Sequence, residues 1–112
     1  MADGKAVTHD LSPKEALALF EREHTDKPTD ALAHFNLGSA YYITGDWDQA
    51  RREFEDALTA NPGNDHAHYF LGVIHAKKGD QAKARAEFEK VENGGAHGML
   101  KNQARIQLKA LG

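Results

Sequence analysis

At 112 residues, 40% of them hydrophobic and 28% charged, the chain has material for one compact core or one short stack of units, and its three prolines argue against disorder over most of its length. A formal charge of −3 with histidines neutral excludes a global basic field, and with it generic binding to nucleic acid or anionic lipid. The absence of cysteine removes disulfides, thiolate metal sites and cysteine nucleophiles together, and no segment approaches the roughly 18 apolar residues of a membrane span, so a cytoplasmic address is the expectation.

Residues 1–10 are polar and are expected to form a disordered tail. Ser12-Pro13-Lys14-Glu15 then reads as a capping box with proline at the first helical position, opening a helix to about Thr25. Ala16, Leu17, Leu19 and Phe20 give that helix two apolar directions. In residues 31–44, Leu32, Phe35, Leu37, Ala40, Tyr41 and Ile43 share a broad helical face, and Thr44-Gly45-Asp46 supplies a glycine stop and an aspartate N-cap. Residues 47–60 carry Trp47, Ala50, Phe54, Ala57 and Leu58 at helical spacings and end at Asn61-Pro62-Gly63. Residues 65–78 and 81–92 repeat the plan around Gly79-Asp80. The segment from Asn93 to Gly98 is a flexible stop, because it follows a helix and lacks the lysine and hydroxyl of a phosphate loop. A closing helix, Met99 to about Leu111, puts Leu100, Ala104, Leu108 and Leu111 on one stripe and Lys101, Arg105 and Lys109 on the next, which reads as a solubilising cap.

Shifting the sequence by 34 residues places His34 on His68, Leu37 on Leu71, Gly38 on Gly72, Gly45 on Gly79, Asp46 on Asp80, Ala50 on Ala84 and Phe54 on Phe88. A backward shift aligns Ala50 with Ala16, Phe54 with Phe20 and Pro62 with Pro28. The chain therefore divides into a partial unit (11–30), two units (31–64 and 65–98) and the closing helix (99–111), all in one domain spanning 11–112. Gly38, Gly72, Ala50 and Ala84 are small where helices must approach, while Tyr41, Phe54 and Phe88 fill the space between them. Residues 31–64 closely resemble the tetratricopeptide repeat family, with Leu37-Gly38, Tyr41, Gly45, Ala50, Phe54, Ala57 and Pro62 at signature positions and His34 in place of the first signature aromatic. The second unit is similar but weaker, with His68 and His75 at aromatic positions, Val91 for alanine and Ala96 for proline. The resemblance implies an all-α fold, a short right-handed solenoid of antiparallel helix pairs.

In that family the first helices of successive units line a concave groove. The resemblance assigns the groove to Leu32, Phe35, Asn36, Ser39, Tyr42 and Ile43 in one unit and His66, Tyr69, Phe70, Val73, Ala76 and Lys77 in the next. This aromatic, weakly charged surface suits a peptide or protein segment with apolar anchors. The family's carboxylate clamp is not reproduced: Asn36 matches one of its asparagines, but His66 and Phe70 stand where its lysine and arginine belong. For Phe35, Tyr69 and Phe70 the alternative is core packing, and for Asn36 a helix-surface amide satisfied by neighbours or water. The histidine spacings discourage a metal site, Glu53, Glu55 and Asp56 read as a solvated helix face, and no cofactor is implied. His34, His68 and His75 sit at inter-helix positions and could make the packing acid-sensitive. No nucleophile context is present, so the expectation is a non-enzymatic adaptor or scaffold, with a client-specific chaperone or a self-assembling repeat module as alternatives. The missing partner of the first helix predicts weak homo-oligomerisation through Leu17 or Leu19.

Overall fold

The structure is a computed structural model and describes residues 12–26, 30–95 and 98–112. The expected tail, Pro28, Ala96 and the packing of Phe20 lie outside the described residues. Within them the secondary structure is entirely helical: α1 (Pro13–Asp26), α2 (Ala31–Thr44), α3 (Trp47–Ala60), α4 (Asp65–Lys77), α5 (Gln81–Asn93) and α6 (Gly98–Leu111). No helix among the described residues is long and apolar enough to cross a membrane.

The helix ends follow from local chemistry. The Ser12 N–H donates to Glu15 Oε1 (2.9 Å) and the Glu15 N–H to Ser12 Oγ (3.2 Å), the reciprocal box expected from the sequence. The Ser12 backbone N–H first, and the Ser12 side chain second, hold the Glu15 carboxyl below its ordinary value. Asp30 caps α2 by accepting from the Leu32 N–H at 2.8 Å, and Asn64 caps α4 by accepting from Ala67 at 3.1 Å. Gly45 (φ 85°) and Gly79 (φ 84°) both close their helices in the left-handed conformation that glycine adopts without steric cost.

One cap differs from expectation. Asp80 accepts from the Lys83 N–H at 3.1 Å, but Asp46 makes no side-chain cap bond; its carboxylate lies 2.9 Å from the Thr44 hydroxyl instead. The equivalent of Thr44 in the second turn is Lys78, which brings no competing hydroxyl.

The main contacts run between consecutive helices, as expected of a stack in which each unit meets only its neighbours. Leu37, Tyr41, Ala50, Phe54, Ala67, Leu71 and Ile74 form one buried cluster joining α2, α3 and α4, with Leu17 of α1 packed against it. Ala84, Phe88, Val91, Leu100 and Ala104 form a second between α5 and α6. Gly38 and Gly72 stand where helices pack closely: a Cβ on Gly38 would lie 2.9 Å from the Phe54 ring, and one on Gly72 2.6 Å from the Phe88 ring. Leu108 and Leu111 pack against the second cluster, so the stripe of α6 closes the stack.

Candidate peptide-binding groove

The first helices of the two repeats, α2 and α4, meet through aromatic side chains. Phe70 is the hub. Its ring centroid lies 4.9 Å from Tyr42, 6.3 Å from Phe35, 6.0 Å from Tyr69 and 5.4 Å from the buried ring of Phe54. Phe35, Tyr42, Tyr69 and Phe70 are half-buried, so each lends one face to the core and leaves another open. The core-packing alternative thus holds in part for Phe35, Tyr69 and Phe70, which pack against the two clusters while remaining partly exposed.

Tyr42 also meets Trp47 edge-on at 5.2 Å, and the Lys77 ammonium sits 5.3 Å from the centroid of that indole, within cation–π range. At the other end, Tyr69 packs on Phe88 at 5.5 Å, and its hydroxyl accepts from Gln107 Nε2 at 3.3 Å. Burial and the neighbouring Tyr69 push the Tyr42 phenol above its ordinary value. Val73 and Ala76 are half-buried against the second cluster, whereas Leu32, Ile43, His66 and Lys77 are exposed. Ser39 donates to the Phe35 carbonyl of its own helix at 2.9 Å. Asn36 is half-buried, and its amide has no hydrogen-bond partner among the described residues. Trp47 and Gln107 extend this surface but were absent from the sequence assignment, because they lie on second-of-pair and closing helices where the repeat pattern places no groove.

A polar pair recurs in the two repeats. His34 Nδ1 lies 2.8 Å from Glu53 Oε1, and His68 Nδ1 lies 2.6 Å from Glu87 Oε1. His68 Nε2 also faces the Pro62 carbonyl at 3.1 Å, so the doubly protonated ring can donate from both nitrogens. The Glu87 bond, outweighing partial burial, lifts the His68 pKa. Burial alone would raise Glu87, but the His68 hydrogen bond and the nearby Lys90, His68 and His75 leave it lowered.

The reading of Glu53, Glu55 and Asp56 as a solvated face requires correction for Glu53, which is 17% exposed and bound to His34. Glu53 and Asp56 also converge with His34, a grouping between helices that histidine spacings alone do not reveal. The signal was present: Glu53 and Glu87 are also related by the 34-residue shift, as are the two histidines.

Two tetratricopeptide repeat models match the sequence, one over residues 14–63 and the other over 44–97. The chain belongs to the tetratricopeptide repeat family. An uncharacterised TPR repeat-containing protein of Arabidopsis thaliana is 38% identical over 58 residues, which are 52% of this chain and 7% of that protein. The chain thus spans a small fraction of the curated relative it matches.

Among solved structures, PcrH in complex with the chaperone binding region of PopD superposes on this tetratricopeptide repeat protein with a TM-score of 0.84 at 19% identity, covering 98% of this chain and 86% of that one. The type III secretion translocator chaperone SycD of Yersinia enterocolitica gives 0.82 at 16% identity, covering 88% and 71%. At these identities the likeness establishes the helical-repeat fold.

Proposed function

We propose that this tetratricopeptide repeat chain is a non-catalytic protein-interaction module that holds an apolar-anchored peptide segment against the α2/α4 face. The observation that carries the proposal is the continuous, half-open aromatic surface Phe35–Phe70–Tyr42–Tyr69, with the unpartnered amide of Asn36 beside it. Half-buried rings are rigid, so a ligand gains apolar contact without ordering them, and the amide can bond the backbone of an extended segment. A cytoplasmic setting accords with a fold that uses no disulfide.

The favoured role is an adaptor or scaffold. A client-specific chaperone is the second reading, supported by the fold shared with PcrH, whose solved complex contains a chaperone binding region of PopD. Affinity capture with mass spectrometry, comparing wild type with Tyr69→Ala, tests both. Loss of the same captured proteins from Tyr69→Ala supports the groove. One dominant client whose abundance falls when the chain is deleted indicates a chaperone; several partners with unaffected abundance indicate an adaptor. An identical capture profile for the two proteins contradicts the groove.

At the front of the stack, Leu17 is packed against the core while Leu19 is 40% exposed. Weak self-association is therefore assigned to the Leu19 side of α1.

A further inference from the structure

His34, Glu53 and Asp56 each offer one ligand atom, and the three atoms lie within 4.8 Å of one another. They come from facing helices: His34 from α2, and Glu53 and Asp56 from successive turns on one face of α3. His34 is 8% exposed, Glu53 has a side-chain exposure of 17%, and Asp56 is exposed. A depression of about 290 Å³ lined by Tyr41, Gln49, Arg52, Glu53 and Asp56 opens at the same place. Two ligands are thus held in position by packing, and the third stands at the mouth.

The second repeat supplies an internal comparison. The 34-residue shift carries His34, Glu53 and Asp56 onto His68, Glu87 and Lys90. There the third position is itself a cation, with Lys90 Nζ 3.8 Å from Glu87 Oε2. In the first repeat an aspartate replaces that lysine, so the same His–Glu frame ends in a further anionic oxygen. Tyr41, whose hydroxyl donates to Glu21 at 2.8 Å, lines the same depression. Arg52, on the wall of the depression, is the cation such a site must accommodate.

We propose that His34, Glu53 and Asp56 bind one divalent cation of the zinc class, clamping α2 to α3. An imidazole with two carboxylates suits a borderline transition ion better than calcium or magnesium, which favour all-oxygen shells. Ligands about 2 Å from a tetrahedral ion stand about 3.3 Å apart. The His34–Glu53 contact of 2.8 Å therefore opens slightly, and Asp56, at the exposed edge, closes in. Three protein ligands leave a fourth position for water.

The test titrates the full chain with Co²⁺ alone, followed by visible absorption, and with Zn²⁺ alone, followed by calorimetry. The expected result is one ion per chain with the absorption of a tetrahedral cobalt centre. Asp56→Asn and Asp56→Lys should weaken binding at least about tenfold while leaving metal-free melting unchanged, because Asp56 is exposed. Glu55→Lys changes the net charge as Asp56→Lys does, one position away, and should bind like wild type. Failure of wild type to bind overturns the proposal. So does undiminished binding by the Asp56 variants, which would put the ion on other histidines, or an equal loss in Glu55→Lys, which would reduce the attraction to net charge.

Discussion

Replacing Gly72 by alanine should destabilise the protein more than the same change at Gly38, and the difference follows from two distances. An added Cβ would lie 2.6, 2.8 and 2.8 Å from three atoms of Phe88 at Gly72, against 2.9, 3.0 and 3.2 Å from Phe54 at Gly38. Relaxed carbon contacts lie near 3.5–4.0 Å, so the overlap is about 1 Å in the first case and somewhat over half that in the second. Neither ring can swing aside, since Phe54 and Phe88 are both 0% exposed. Overpacking of this kind costs about 1–3 kcal/mol, whereas alanine in a helix interior recovers about 1 kcal/mol relative to glycine. The net loss is therefore about 1–2 kcal/mol for Gly72→Ala and about 0–1 kcal/mol for Gly38→Ala. Leucine at either site adds bulk without further gain in propensity and should cost more. Thermal melting by circular dichroism can resolve this order, as 1 kcal/mol shifts a domain of about 100 residues by roughly 4–8 °C. A Gly72→Ala variant as stable as wild type, or one less affected than Gly38→Ala, would refute close helix packing as the reason for these glycines.

The His68–Glu87 pair should contribute to stability within a limited pH window. A raised histidine pKa gives stabilisation that is full below the unfolded value of 6.5 and fades as pH rises through the folded one. A lowered glutamate pKa gives stabilisation present above 4.5 and lost as pH falls through the folded value. The stability difference between wild type and His68→Gln should be greatest between pH 4.5 and 6.5 and shrink on both sides; a difference that grows from pH 6.5 to 9 would contradict the assignment. At the front of the stack, Leu19→Glu should abolish concentration-dependent self-association in sedimentation velocity without lowering the melting temperature. Strict monomers of wild type at high concentration would dismiss that surface.

The helix and turn positions were legible from the Ser12/Glu15 box at the first helix and from features that recur at the 34-residue shift: glycine at 45 and 79, and a small residue facing Phe54 or Phe88. The failures have a common cause. Whether Asp46 caps α3 depends on a hydroxyl two residues earlier, and whether Glu53 is solvated depends on a histidine 19 residues away on another helix. Neither is expressed in the periodicity of a single helix. For the rings of the α2/α4 face, the family pattern carried no information on the depth to which each enters the core. That depth makes Phe70 a support of the core, through its 5.4 Å stack on Phe54. Tyr69 is likewise tied to the core through Phe88, so Asn36 is a cleaner probe of binding than Phe35, Tyr69 or Phe70.

The central claim is that partners are held on the α2/α4 face, and site-specific photocrosslinking in the native host tests it most directly. A photoreactive residue at Asn36 or Tyr69 should give discrete protein adducts, suppressed by Tyr42→Ala in the Asn36 probe. The same residue at Arg51 or Lys83, whose charged groups are engaged with Glu55 and Asp80 on the second-of-pair helices, should give none above background. Adducts arising from Arg51 and Lys83, with none from Asn36 and Tyr69, would place the partner on the opposite surface and contradict the account.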